Sequence, residues 1–271
     1  MRVINLEDYL KAELARVSFD RPRRRWRRIA AALLLATLLV LVAATTLHGP
    51  AWAAGVPAAL ALLAAAFWIF YEWRHHNLDA LRGQLRAGLR GQRRMVKLLA
   101  PLDDNYYLIN NLKLPGRADD VDHLLVGPNG IFALETKNHR GRIFAENGQW
   151  YQAKLSRNGR PQPKNPIRDP VQQLKRNVDY LRTCINRTDP ELSRRTRLWI
   201  EGAVVFVNPA ASIDLPPAVE RQLSFPVLRA RDLPGYVLEQ VPRRPFSKQD
   251  VRAIVDMMSH LASPTAGPTG C

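Results

Sequence analysis

Asp122, Glu135 and Lys137 are the side chains of this sequence best suited to act together. They lie in DDVDHLLVGPNGIFALETKNHRG, residues 119–141, where two apolar runs flank Gly127-Pro128-Asn129-Gly130. Proline suits the second position of a turn and asparagine tolerates the third, so the stretch predicts a β-hairpin. Pairing Gly127 with Gly130 sets Val126 opposite Ile131, Asp122 opposite Glu135, and Asp120 opposite Lys137. Opposed residues share a sheet face with Cβ atoms about 5 Å apart, and a period of two keeps Glu135 and Lys137 on that face. Leu125, Phe132 and Leu134 then point the other way.

Opposed carboxylates repel unless a cation lies between them. Hard oxygen ligands at that separation suit Mg²⁺ or Mn²⁺, with water and a phosphate oxygen completing the shell. A lysine two residues on offers a compact charge for an attacking water or a scissile phosphate. Together these parts serve phosphodiester hydrolysis. The same spacing also occurs on solvated hairpin edges, and a bulge in either strand would shift the register.

The elements that must position this patch read as an α/β domain. Strands are predicted at Tyr106–Leu112, Val121–Val126, Ile131–Lys137 and Arg142–Phe144, with a short pairing at Trp150-Tyr151. Asp169-Pro170 supplies an N-cap and a first-turn proline for a helix with Val171, Leu174, Val178, Leu181 and Ile185 on one face. Leu198–Val207 is apolar throughout, as a strand covered on both faces should be. A short strand near Phe225–Leu228 and a helix over Ser247–Leu261 complete one sheet with its covering helices. The first 20 residues space Val3, Leu6, Leu10, Leu14 and Val17 as one face of a short helix.

Two further stretches carry no charge: Ile29–Leu47 and Ala51–Tyr71. Crossing a bilayer takes roughly 20 apolar residues, so the pair predicts a transmembrane hairpin turning at His48-Gly49-Pro50. Trp52, Trp68, Tyr71 and Trp73 fall near its ends, where interfacial aromatics belong. Arg21–Arg28 precede the pair; Arg74, Arg82, Arg86, Arg90, Arg93 and Arg94 follow it. Basic outer flanks place both on the cytoplasmic side of the inner membrane. A cleaved signal peptide is the competing reading, but its apolar core would be shorter and no second span would follow. The predicted divisions are a basic segment over 1–28, the hairpin over 29–71 (29–47 and 51–71), a basic stem over 72–86, a domain over 87–262 and a disordered tail over 263–271.

The 40 Lys and Arg against 24 Asp and Glu leave a formal charge of +16, which predicts a polyanionic partner, nucleic acid or an acidic membrane. Two cysteines, Cys184 and Cys271, form no disulfide framework and point to a reducing compartment, with Cys184 packing rather than reacting. No phosphate-cradling glycine loop supports an ATPase, and Ser18, Ser156 and Ser193 lack the context of a nucleophile. His123 should face the core, and His75 and His76 sit at the membrane boundary.

Asp-Val-Asp-His, followed by Gly-Pro-Asn-Gly-Ile-Phe-Ala-Leu-Glu-Thr-Lys-Asn and Gly141, closely resembles the signature of the nuclease-related domain family, part of the restriction-endonuclease-like PD-(D/E)xK superfamily. Trp150, Asn165-Pro166 and Gln173 extend the resemblance across about Gly88–Ile200. It implies a mixed sheet flanked by helices, with Asp122 and Glu135 as ligands for Mg²⁺ or Mn²⁺, Lys137 as the catalytic lysine and Gln173 facing the same site. The family's first helix usually carries G-x-x-G-E; here it reads Gly88-Leu89-Arg90-Gly91-Gln92, with Gln92 in place of the metal-facing acid. A neutral amide neither balances charge nor accepts a proton, so one metal, substitution by Asp120, or lost catalysis are the open outcomes. Arg90, Arg93, Arg94, Lys97, Asn138, His139, Arg140, Arg142, Lys164 and Arg168 are the predicted nucleic-acid contacts, the last two on a basic loop over Ser156–Arg168. The reading is a membrane-anchored, metal-dependent nuclease acting on nucleic acid, DNA by preference. Its rivals are a degenerate domain that tethers or senses nucleic acid, and a membrane scaffold that binds anionic lipid.

Overall fold

The computed structural model describes residues 1–5, 15, 21–48, 50, 55–116, 120–154, 163–198, 200–242 and 244–262. The chain forms two compact units, one joining Met1–Asp8 to Arg90–Cys271 and the other running over Tyr9–Leu89.

The Tyr9–Leu89 unit is helical where described. Helix α1 (Arg21–His48) covers the first uncharged stretch, and α2 (Gly55–Leu99) covers most of the second before running on to end just ahead of Pro101. Alanine and leucine dominate both stretches and have high helix propensity. Many of their apolar side chains face outward: Val40 is 69% exposed and Leu62 73%. Thr37 and Thr46 bond their hydroxyls back to the carbonyls of Leu33 and Ala43. Among the described residues no helix is long and apolar enough to cross a membrane. The expected turn at Gly49, Trp52 and the side chains of Arg21–Arg28, Tyr71, Arg74, His75, His76 and Arg82 lie outside the description.

The larger unit holds a six-stranded sheet of β1 (Arg2–Asn5), β2 (Tyr107–Leu112), β3 (Val121–Gly127), β4 (Gly130–Lys137), β8 (Ile200–Phe206) and β10 (Val227–Arg229), in that spatial order. β2, β3 and β4 are antiparallel neighbours; β4, β8 and β10 run parallel, and β1 lies parallel to β2. Between β4 and β8 the chain makes β5 (Gly141–Glu146), β6 (Gln149–Ala153) and β7 (Asn165–Ile167), then α3 (Pro170–Thr188) and α4 (Pro190–Thr196). The strands β7, β6 and β5 join β9 (Ala211–Ile213) in a second, four-stranded sheet. The short α5 (Pro217–Glu220), α6 (Leu233–Glu239) and the terminal α7 (Lys248–Leu261) complete the unit.

Alternation along the strands sorts two cores. Leu124, Val126, Ile131, Ala133 and Val204 pack with Leu174, Val178 and Leu181 of α3 and Ile254 and Met258 of α7. Leu108, Leu125, Phe132, Leu134 and Val205 pack on the other face with Met95 and Leu99 of α2 and Leu233 and Val237 of α6. Each such fully buried side chain contributes about 1.5–3 kcal/mol, so the central strands are clamped from both faces. The mixed α/β architecture with helix-flanked sheets is thus as expected.

Three expectations need correction. The sequence suggests one sheet; the described residues form two, because the short β7 and β9 pair with the β5–β6 hairpin. Val3 lies in strand β1 rather than on a helix, since the β-branched pair Val3-Ile4 can register against Leu108 and Ile109 at the open edge of β2. Leu6, Leu10, Leu14 and Val17 lie outside the described residues, as do most of the Ser156–Arg168 loop and the 263–271 tail. Finally, Cys184 is buried in the core, as a packing residue should be, but it is disulfide-bonded rather than a free thiol.

Candidate functional site

The β3–β4 hairpin has the register read from its turn. Gly127 pairs with Gly130, Val126 with Ile131, Leu125 with Phe132 and His123 with Leu134. The main-chain ladder stops there, which corrects the expectation of paired rungs at Asp122–Glu135 and Asp120–Lys137. Asp122 Oδ2 accepts the Thr136 amide N–H at 2.8 Å, so a side-chain oxygen takes the place of the next main-chain acceptor. From that point β4 stays zipped to β8 on its other edge, with Glu135 beside Val204 and Lys137 beside Phe206.

Glu135 and Lys137 share a face as the strand period requires. Lys137 Nζ donates to Glu135 Oε1 at 2.5 Å and to Gln173 Oε1 at 3.2 Å. Gln173 arrives on the first turn of α3, where Asp169 caps the helix by accepting from the amides of Val171 and Gln172. A close approach of α3 to the sheet is needed for that reach. Gly202 of β8 permits it: a Cβ there would meet Leu174 Cδ2 at 3.1 Å and Phe225 Cδ1 at 3.0 Å.

The electrostatics are adverse in this state. Glu135 is 1% exposed, and its Oε2 is buried with no hydrogen-bond partner. Burial first, then the neighbouring Asp122 carboxyl, push Glu135 up to about 8, while Lys137 and Arg168 oppose the shift. Burial also raises Asp122, against the Thr136 N–H and the Lys137 charge. A divalent cation would reverse both shifts, and the orphaned Oε2 is an oxygen ligand without a partner among the described residues. The residues present therefore fit a hard cation held by Asp122 and Glu135. Among the described residues no cluster of three or more Asp, Glu, His or Cys side chains gathers for a metal.

Gln92, on α2, donates to Asn111 Oδ1 at 2.5 Å. The pairs Asn110–His123 and Leu112–Val121 put Asn111 level with Asp122, and its φ of 55° turns the strand locally. Gln92 is thus held at the edge of the site through Asn111. Arg94 reaches Asn138 Oδ1 at 3.2 Å, and His139 contacts Gln152 Oε1 at 3.2 Å. Burial lowers the His139 pKa, and the Lys137 charge adds to that. Arg168 is exposed yet close enough to act on Glu135. Arg90, Arg93, Lys97 and Arg140 are exposed. Arg142 is paired with Asp214 at 2.5 Å, and Lys164 with Glu146, both exposed pairs of little strength. His123 is fully buried on the opposite face. There Asn110 uses its amide N–H on Asn5 and its oxygen on His123 Nδ1, at 2.6 Å.

Sequence reasoning missed two participants. The Thr136 amide fixes Asp122 by backbone alone, which no residue type reports. Asn111 holds Gln92; its signal is the polar Asn110-Asn111 pair inside an otherwise apolar strand.

An acid at the end of one hairpin strand, Glu-x-Lys on the next and a helical glutamine reaching the lysine are the parts that the resemblance to PD-(D/E)xK proteins implies. Residues 87–207 match the family described as the nuclease-related domain. An uncharacterized protein of Bacillus anthracis is 25% identical over 112 residues, covering 39% of this chain and 50% of that protein. The chain thus spans about half the length of the curated relative it matches. No solved structure matches it.

Glu135 has a testable energetic signature. Its pKa of about 8 in the folded chain exceeds the ordinary 4.5. Between those values the folded state binds more protons than the unfolded state, so stability falls as pH rises through that window. Glu135→Gln removes this dependence and should stabilise the metal-free protein at pH 7 by on the order of 1–3 kcal/mol. Urea unfolding of both proteins in EDTA at pH 5 and pH 7 measures it. Equal stability at pH 7 would show that the acid is not held under strain.

Proposed function

We propose that this protein is a metal-dependent nuclease, hydrolysing phosphodiester bonds of nucleic acid, DNA by preference. The observation that carries the reading is the buried Glu135 Oε2 without a partner, beside Asp122 and 1% exposed, while Lys137 holds the other oxygen. Asp122 and Glu135 would hold Mg²⁺ or Mn²⁺, which when bound polarises a phosphate oxygen and acidifies a bound water. Lys137 steadies the negative charge that develops on the phosphate. Gln173 Oε1 accepts from the same ammonium and fixes its direction. Arg94, Lys97, Asn138, His139 and Arg168 supply contacts to the strand.

A second reading is a degenerate domain that tethers or senses nucleic acid. It is favoured by Gln92, a neutral amide already engaged with Asn111. Cleavage assays on the full-length chain, with plasmid and single-stranded DNA in Mg²⁺ or Mn²⁺, separate the two. The nuclease reading expects metal-dependent cutting that Glu135→Ala and Lys137→Ala each reduce by at least about 10²-fold. No cutting by the wild type or by Gln92→Glu, with DNA binding intact, would establish the tethering reading instead.

We further propose that α1 and the first half of α2 form a membrane hairpin on the cytoplasmic side of the inner membrane. The outward-facing apolar side chains, the threonine hydroxyls turned back onto helix carbonyls and the basic flanks support it. Sodium carbonate at high pH should leave the full-length chain in the membrane pellet. Its release into the supernatant would overturn the anchor.

A further inference from the structure

A cavity of about 480 Å³ lies at the carboxyl ends of β8 and β10, where open parallel sheets commonly bind ligands. Its volume is in the range of small-ligand sites, roughly 300–1,000 Å³. Four cations line it, Arg94 and Lys97 from α2, Arg229 at the end of β10 and Arg231 just beyond it, with no acidic side chain in the lining. Arg231 has Asp232 at 3.6 Å, an exposed pair of little strength. The walls between the cations are apolar, made by Leu98, Phe206 and Pro209 among others.

The cavity is tied to the segment that carries Lys137. The Val207 amide, in its wall, donates to the Lys137 carbonyl at 3.0 Å. Asn208 donates to the Asn138 carbonyl at 3.3 Å, and Arg94 bridges Asn138 Oδ1 and the Val207 carbonyl. The cavity therefore adjoins the end of β4, the strand that carries Lys137.

We infer that the cavity takes one unstacked nucleotide adjoining the scissile phosphate, and that the preferred substrate is single-stranded nucleic acid. Apolar walls reward contact with the face of a base, and arginine planes can stack on it. A base inside a duplex presents only its edges, so entry requires that it leave the stack. Lys97, Arg229 and Arg231 neutralise the phosphates on either side. The inference deepens the nuclease reading and rests on it for the position of the scissile bond, but strand binding does not require cleavage.

The test uses the full-length chain in mild detergent with EDTA, so that binding is read without turnover. The probes are a fluorescein-labelled single-stranded oligodeoxythymidylate of roughly ten nucleotides and a duplex of equal length, followed by anisotropy. The single strand should bind at least about tenfold tighter than the duplex. Arg229→Ser with Arg231→Ser should weaken it by about tenfold and flatten the log–log salt dependence by about 1.4, from two lost phosphate contacts. Lys97→Ser, on a separate element, should repeat the loss, whereas Arg221→Ser, an exposed arginine outside the lining, should not. Duplex preference, unchanged binding in both the double-arginine and the Lys97 variants, or binding only to phosphatidylglycerol vesicles would overturn the inference. A wild type that never cuts in Mg²⁺ but shows this pattern in EDTA would sink the nuclease reading and leave the cavity assignment standing. A wild type that cuts, with cavity variants that bind and cut normally, would do the reverse.

Discussion

The side chain around which the larger unit is arranged is Glu135. A carboxyl that is almost wholly buried, faces a second carboxyl and leaves one oxygen without a hydrogen bond costs several kcal/mol unless something compensates. Only a well-clamped strand can hold it there. β4 is that strand, paired on both edges and covered on both faces, by α2 and α6 on one side and α3 and α7 on the other. Lys137 offsets part of the cost by its contact at 2.5 Å, and Gln173 fixes the lysine in turn. The capped α3 and the bare Cα of Gly202 bring that glutamine within reach.

Divergence of β3 from β4 is the second constraint. Had the ladder continued, Asp122 and Glu135 would sit as a repelling cross-strand pair with their charge spread along the sheet edge. Instead Asp122 replaces a main-chain acceptor for Thr136, and both carboxyls sit at the fork where the strands part. Gln92 and Asn111 border it, so the one acid that the nuclease-related family carries on its first helix is here an amide engaged with a neighbour.

Much of this was legible in the residues. The turn at Gly127–Gly130 dictated the register, and alternation sorted Leu125, Phe132 and Leu134 from Glu135 correctly. Asp169-Pro170 marked the start of α3 to the residue. What escaped was set by contacts across long separations. β1 joins the sheet through residues about a hundred positions away, so its local pattern could not reveal it. β7 and β9 are three residues each, too short for a periodic signal, and they make the second sheet. The ladder's end at His123 depends on a side chain competing for a backbone amide, which spacing does not encode. The acids that the second sheet brings alongside Arg142 and Lys164 were not legible either, because those pairs depend on the same short strands.

The central claim is that Asp122 and Glu135 form a cation site, and direct calorimetric titration of Mn²⁺ into the full-length chain tests it most simply. Cations and protons compete for Glu135, whose pKa of about 8 means that affinity should rise by up to about tenfold per unit as pH approaches that value, then level off. Binding at one site, strengthening from pH 6.5 to pH 8 and lost in Glu135→Gln, is the result this account predicts. Binding that ignores pH and survives the substitution, or no binding at pH 8.5, would contradict it.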